Sequence, residues 1–427
     1  MIIRKAYKFR LKTNQALSRK LAQFAGCSRL VWNKGLAFQK ERLNSSQSCL
    51  SYAGLTKELT QWKKEEGLFF LKQVHSQALQ QSLKNLSQAL KEAFDKTNPK
   101  KFPRFKKKGQ GDSFRYPQGF KVDNENGRIF LPKIGWVRYF HSQDVIGEAK
   151  NITISKRGKH WFVSIQVEID RETPRHPSSS VVGGDLGIAR FLTLSNQEYY
   201  EPISIFKKLK AKLAKLQKKL AKKEKFSNRW RRLKSKITKL HIRIADTRNN
   251  YLHKISSELS KNHAIVILED LKINNMTARS GRVSRPCSIA VLSKSASGTV
   301  ENPGKNVKQK SGLNRAILDQ GWGEFIRQLE YKLAWNGGQL IQINPKNTSR
   351  KCPKCSYISA ENRKTQATFC CQQKNCNYTA NADFVYLTYK INNKQQQQWF
   401  IFFTLSKVTI TYKISLLNKY LIVLLST

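Results

Sequence analysis

The sequence is short of acids. Twenty-eight Asp and Glu stand against 79 Lys and Arg in 427 residues, a formal net charge of +51. A chain so charged repels itself when compact, and the usual resolution is a polyanion bound through phosphate contacts and counterion release. That argues against an ordinary metabolic enzyme and makes nucleic acid the expected partner. Long apolar runs are missing too. No uncharged stretch reaches the ~18 residues that cross a bilayer, and even the apolar tail is interrupted by Lys407, Lys413 and Lys419. The opening MIIRKAYKFRLKT carries charges within its apolar stretch and no small-residue cleavage site, so no secretory signal is expected. The reading is a cytosolic protein, without a membrane partner. Nor are the eight cysteines spread like a disulfide framework: Cys352, Cys355, Cys370, Cys371 and Cys376 crowd into one segment, which in a reducing compartment reads as metal binding. The 39% of hydrophobic residues is enough for real cores, and the length suggests about two to four domains.

The first strand alternates, with Ile3, Tyr7, Phe9 and Leu11 on one face and Arg4, Lys8 and Arg10 on the other, which leaves a basic surface able to meet phosphate. From Asn14 to Phe94 the apolar steps become helical, through Leu17, Leu21 and Phe24 and then Leu79, Leu83, Leu86 and Leu90. FPRFKKKG (102–109) interleaves aromatics with Arg104, Lys106, Lys107 and Lys108, a stacking and phosphate-pairing pattern that by itself reads first as a solvated basic loop. Residues 113–170 read as strands, with KRGK (156–159) as a hairpin turn, and the opening strand is expected to join their sheet. Residues 171–180 read as a linker. Beyond it, VVGGDLGIARFLTLS reads as two strands. Two Lys/Arg-rich helices follow, with seams Leu209, Leu213, Leu216, Leu220 and Leu233, Ile237, Leu240, Ile244 and a turn near Lys225–Asn228. They should form an antiparallel hairpin. Ten lysines against one glutamate between Lys207 and Lys225 exceed what solubility asks for, which points this hairpin at nucleic acid. HAIVILEDL (263–271) reads as a buried strand ending in carboxylates, Ser280–Gly312 as a mobile loop, 313–335 as one helix and QLIQINP as a last strand.

Cys352 and Cys355, three residues apart, suit two corners of a thiolate tetrahedron around Zn²⁺. Cys371 and Cys376 complete it, with Cys370 as the alternative, and a closed four-cysteine site is structural rather than catalytic. Among the scarce acids, Asp185 follows VVGG, Glu269 follows AIVIL, and Asp383 lies in TANADF. Each alone reads first as a cap or a surface pair. Together they suit a nuclease centre, in which carboxylates grip two Mg²⁺ ions against a phosphodiester.

At this point the sequence resembles the OrfB/TnpB proteins of bacterial insertion sequences, relatives of the type V CRISPR effector nucleases. The carriers are AYKFRL (6–11), GCSRLVWN (26–33), FPRFKKK (102–108), LPKIGWVRY (131–139), GGDLGIARFLTLS (183–195), ILEDLKINNM (267–276), LNRAILDQGWGEF (313–325), NPKNTSRKCPKC (344–355) and NADF (381–384). The resemblance implies a multidomain α+β protein. Its parts are an N-terminal wedge-like β-barrel (1–12 and 111–170) with an inserted helical recognition domain (13–110), and a RuvC-like, RNase H-type domain (181–349 and 377–390) interrupted by a zinc ribbon (350–376). It implies a guide RNA made from the end of the element, a DNA target, and catalytic roles for Asp185, Glu269 and Asp383. The candidate nucleic-acid contacts of the chain are Tyr7, Arg10, Arg104, Lys106, Lys107 and Lys108.

One region departs from the pattern. Residues 384–427 contain no acid, glycine, proline or alanine, and Tyr386 and Leu387 stand where small residues are expected. Residues 391–427 read as an atypical tail, either translated past a frameshift, with impaired cleavage as its consequence, or an authentic divergent C-terminus. The leading function is thus an RNA-guided, metal-dependent DNA endonuclease supporting transposition; the second is a nucleic-acid-binding relic or regulator.

Overall fold

The computed structural model describes residues 2–97, 100–172, 174–277, 307–347, 350–363 and 368–381. The chain divides into two compact units, Met1–Glu172 and Thr173–Thr427.

In the first unit β1 (Ile2–Arg10) leads into α1 (Gln15–Asn44), α2 (Tyr52–Trp62), α3 (Ser76–Phe94) and then β2 (Ser113–Tyr116), β3 (Lys121–Asp123), β4 (Arg128–Leu131), β5 (Gly135–Arg138), β6 (Glu148–Arg157) and β7 (His160–Asp170). Asn14 starts α1 by accepting a 2.8 Å hydrogen bond from the Leu17 amide, satisfying a donor that the first turn leaves open. The alternation read in β1 is realised: Ile3, Tyr7, Phe9 and Leu11 are buried while Arg4, Lys8 and Arg10 are exposed. β1 pairs antiparallel with β7, giving a sheet of order β1-β7-β6-β2. The β6–β7 hairpin turns at Gly158, whose φ of 62° favours glycine. A second sheet, β3-β4-β5, meets the first through one bridge, Leu11–Tyr139. Among the described residues these strands make two open sheets rather than the closed barrel expected, because no ladder joins β2 to β3. Leu21, Phe24, Val31 and Leu36 of α1 and Leu79, Leu83 and Leu86 of α3 share one continuous core with the strands.

The second unit contains β8 (Val181–Asp185), β9 (Leu192–Leu194), β10 (Tyr199–Tyr200), α4 (Ile205–Ala221), α5 (Asn228–Asn262), β11 (Ile265–Glu269), α6 (Ile273–Met276), α7 (Val307–Gln320), α8 (Trp322–Asn336), β12 (Gln339–Ile343), β13 (Thr368–Cys370) and β14 (Thr379–Asn381). Its main sheet has the order β10-β9-β8-β11-β12. β8, β11 and β12 are parallel, whereas β9 and β10 run antiparallel. Val182, Val266 and Leu268 from the strands, Leu252, Ile255 and Leu259 from α5, and Phe325, Leu329 and Leu333 from α8 form its core. Such continuous apolar runs are what buried parallel strands require.

Two expectations need correcting here. Residues 313–335 are two helices, because Gly321 takes φ 75° between α7 and α8 and a Cβ there would meet Arg248 and Leu252 at 3.1–3.2 Å. The loop expected over Ser280–Gly312 lies outside the described residues up to 306, and Val307–Gly312 belong to α7. Among the described residues, no helix is long and apolar enough to cross a membrane.

Candidate functional site

Asp185 and Glu269 are the last residues of β8 and β11. Gly183 and Ile267 are partners in the parallel register, and each carboxylate lies two residues beyond its strand's member of that pair. Side chains in a strand alternate and adjacent strands are ~4.8 Å apart, so both acids emerge side by side from the same face at the C-terminal end of the sheet. Both are half-buried. Gly184 explains how β8 fits between its neighbours: a Cβ there would stand 2.8 Å from Leu268 Cδ2 and 2.9 Å from Leu192 Cδ1. Gly184→Ala should therefore destabilise the unit by about 1–3 kcal/mol through overpacking and misplace Asp185; thermal unfolding together with a cleavage assay checks both. The third acid, Asp383, lies outside the described residues, as do 382–390 and the tail 391–427.

The cysteine cluster is assembled. Ligand atoms of Cys352, Cys355, Cys371 and Cys376 all lie within 4.8 Å of one another. Cys352 Sγ is 3.7 Å from Cys376 Sγ, and Cys355 Sγ is 3.5 Å from Cys371 Sγ. A tetrahedron with Zn–S of ~2.3 Å has edges near ~3.8 Å, so these thiols fit the ion. Of the two adjacent candidates, Cys371 is buried in the cluster, whereas Cys370 ends β13 exposed and is not among the four. Strand alternation sends neighbours to opposite faces, which is why only one can serve. The amide of Tyr357 lowers the Cys355 thiol to about 7, whereas burial pushes Cys371 up to about 12.

Sequence reading missed Asp319. It closes α7, is 6% exposed, and accepts hydrogen bonds from the backbone amides of Phe206 (3.0 Å) and Lys207 (3.3 Å). Ser204, at the start of α4, makes no side-chain cap, so an acid from a distant helix fulfils that role. Arg248 of α5 sits 3.5 Å from the same carboxylate, which ties both helices of the lysine-rich hairpin to α7. The only hint in the sequence was an acid directly before the Gln-Gly break. Asp319→Ala should cost about 1–3 kcal/mol and speed proteolysis of α4, measured on the full chain.

In the first unit FPRFKKK docks on α1. Trp32 Nε1–H donates to the Arg104 carbonyl (3.1 Å), and the Asn33 amide brackets Lys106, donating to its carbonyl (3.0 Å) and accepting from its N–H (2.8 Å). The Lys106 ammonium lies 3.7 Å from the Trp32 ring centroid, and Lys40 lies 4.8 Å from that of Phe105. These contacts link GCSRLVWN physically to FPRFKKK and leave Arg104, Lys107 and Lys108 exposed. On β1, Arg10 stacks 4.0 Å from the exposed Phe140 ring. Tyr7 is different. It is 2% exposed and packs in the core beside Phe9, so it supports the strand and is not available to nucleic acid.

The OrfB profile of IS605, described as "Probable transposase", matches residues 164–280; one described as "Helix-turn-helix domain" matches 1–48, and one described as "Cas12f1-like, TNB domain" matches 322–385. Across 1–48 the chain folds as β1 and the start-to-end helix α1. A solved complex of Cas12f1 with guide RNA and target DNA overlaps 90% of this chain and 98% of that chain, at 13% identity and a TM-score of 0.48. A protein of Streptomyces pristinaespiralis named "Putative RNA-guided DNA endonuclease" is 31% identical over 361 residues, 83% of this chain and 81% of its own. The similarly named InsQ of Escherichia coli (strain K12) is 47% identical over 378 residues, covering 88% of this chain and 89% of its own. At that identity and coverage the chain belongs to the OrfB/TnpB family of insertion-sequence proteins.

Proposed function

We propose that this protein is an RNA-guided, divalent-metal-dependent DNA endonuclease of the RuvC type, encoded by and serving a transposable element. The observation that carries the reading is the placement of Asp185 and Glu269 at matched ends of adjacent parallel strands, in a sheet whose order 3-2-1-4-5, counted along this domain, puts the two acid-bearing strands at its centre. Two anionic groups so close repel one another, and a divalent cation between them offsets that cost. Carboxylate oxygens are hard donors, so the pair fits Mg²⁺, with Asp383 as the expected third ligand. Bound there, Mg²⁺ would stabilise charge on the attacking and leaving oxygens of the phosphodiester.

The rest of the chain then has a role. Arg10, Arg104, Lys107 and Lys108 present charge to phosphates, and base pairing by a guide supplies sequence recognition while the protein holds backbone and shape. Cys352, Cys355, Cys371 and Cys376 hold Zn²⁺ as a structural ion. The names of the two relatives described above support this assignment. The test is cleavage of target DNA by the purified chain loaded with RNA transcribed from its own element. Mg²⁺-dependent cuts are expected. Tight, salt-sensitive binding with no cuts under any divalent ion would favour the second reading, a binding protein without catalysis.

A further inference from the structure

An open recess of about 460 Å³ lies where α4 and α5 meet, lined by six cations: Lys219, Lys222, Lys223, Arg229, Arg232 and Lys236. All six are exposed, and none is in an ion pair among the described residues. Glu224 is the single acid between Lys207 and Lys236. The hairpin itself is held by Leu213, Leu240 and Ile244 with Leu209, Leu216 and Ile237 around them, a seam that needs none of these charges. The two arginines of the recess, Arg229 and Arg232, stand with Arg231 in the first turns of α5, where the helix dipole already favours an anion.

At the tip of the same hairpin, Phe226 is 68% exposed and outside that seam. Its φ of 69° belongs to the left-handed region, costly for a bulky residue. Its ring lies 5.5 Å from Trp230, over which Lys234 places its ammonium at 4.6 Å. An exposed Phe226 ring backed by the half-buried Trp230, in the turn between the helices whose cations line the recess, combines the two elements that bind single strands, a face for a base and charges for its phosphates. A duplex hides its base faces, so the ring selects an unpaired base.

We infer that the α4–α5 tip holds an unpaired stretch of the guide RNA, with a base on Phe226 and the flanking phosphates in the recess. This rests on the function proposed above. The occupant is RNA rather than target DNA because the repulsion among six cations exists before any target arrives, and a resident polyanion offsets it throughout.

The test uses the full chain and a single-stranded oligouridylate carrying thiouridine, irradiated and mapped by peptide. The expected crosslink falls on the segment around Phe226 and Trp230. Phe226→Gly, which the left-handed backbone accepts without strain, should reduce that crosslink about tenfold while leaving affinity for duplex DNA and thermal stability unchanged. Gln at Lys219, Lys222 and Arg229 together should weaken the same crosslink and flatten its salt dependence. Crosslinks confined to other segments, an undiminished signal in Phe226→Gly, or capture of the matching thiothymidine DNA in place of RNA would overturn the inference. The nuclease reading fails separately, because loss of the hairpin crosslink with metal-dependent cleavage intact discards only the inference made here.

Discussion

Asp185→Ala or Glu269→Ala should lower DNA cleavage by ~10³-fold or more, with binding of the same DNA unchanged within about twofold. The reasoning is geometric. The two carboxylates leave the sheet from matched positions of neighbouring strands, so removing either leaves an ion with a broken ligand set. The stabilisation lost is several kcal/mol, because charge develops on both oxygens of the breaking phosphodiester, and each 1.36 kcal/mol is a factor of ten. Phosphate contacts elsewhere are untouched, which is why affinity persists. Neither substitution should unfold the unit, since both side chains are only half-buried at strand ends. Equal cleavage by the single variants and the parent would remove the site assignment.

The second large effect concerns the ribbon. Among the described residues its buried core consists of three cysteines and Phe369, with Tyr378 and Ala380 packed alongside, and β13 and β14 have three residues each. So little apolar burial cannot hold a fold against chain entropy. Metal must supply the difference, as in zinc-finger peptides, where binding contributes ~10–16 kcal/mol. Cys352→Ser, or removal of the ion by a strong chelator, should therefore unfold residues 350–381 as a unit. The full chain should carry one zinc per molecule by elemental analysis, and the metal-free chain should be cut by protease within the ribbon while the Met1–Glu172 unit resists. Cys370→Ser should leave zinc content unchanged, since Cys370 lies outside the four-sulfur cluster. Retained protection in metal-free protein would show that the segment folds without the ion.

Much of this architecture was legible from residue pattern. The alternation of Ile3, Tyr7, Phe9 and Leu11 marked β1 because one face of an antiparallel strand is buried and the other is wet. VVGGD and AIVILE were visible as buried strands because both their faces are covered, so the acids at their ends stood out. The leucine seams of α4 and α5 were equally plain, since Leu213 and Leu240 repeat at helical steps. What escaped was set by contacts distant in sequence. Asp319 caps a helix more than a hundred residues away, and no local rule connects it to Phe206. Gly321 splits a continuous helical pattern because its positive φ answers to packing against Arg248 and Leu252, whereas periodicity runs straight through it. The choice between Cys371 and Cys370 turned on which face of β13 meets the other thiols, which spacing alone left open. Tyr7 went wrong in the opposite way. Its place on the apolar face of β1 was readable, yet it was counted among the nucleic-acid contacts although the core already holds its side chain.

The central claim is that Asp185 and Glu269 hold a shared cation, and the most direct measurement of it is iron-directed backbone scission. Ferrous iron takes the place of Mg²⁺, and ascorbate with peroxide then cuts the chain beside the bound ion. Cuts next to both Asp185 and Glu269 are expected, suppressed by excess Mg²⁺, with both sites lost when either acid is replaced by alanine. Scission at only one of them, or at neither, with each site indifferent to loss of the other, would contradict the account.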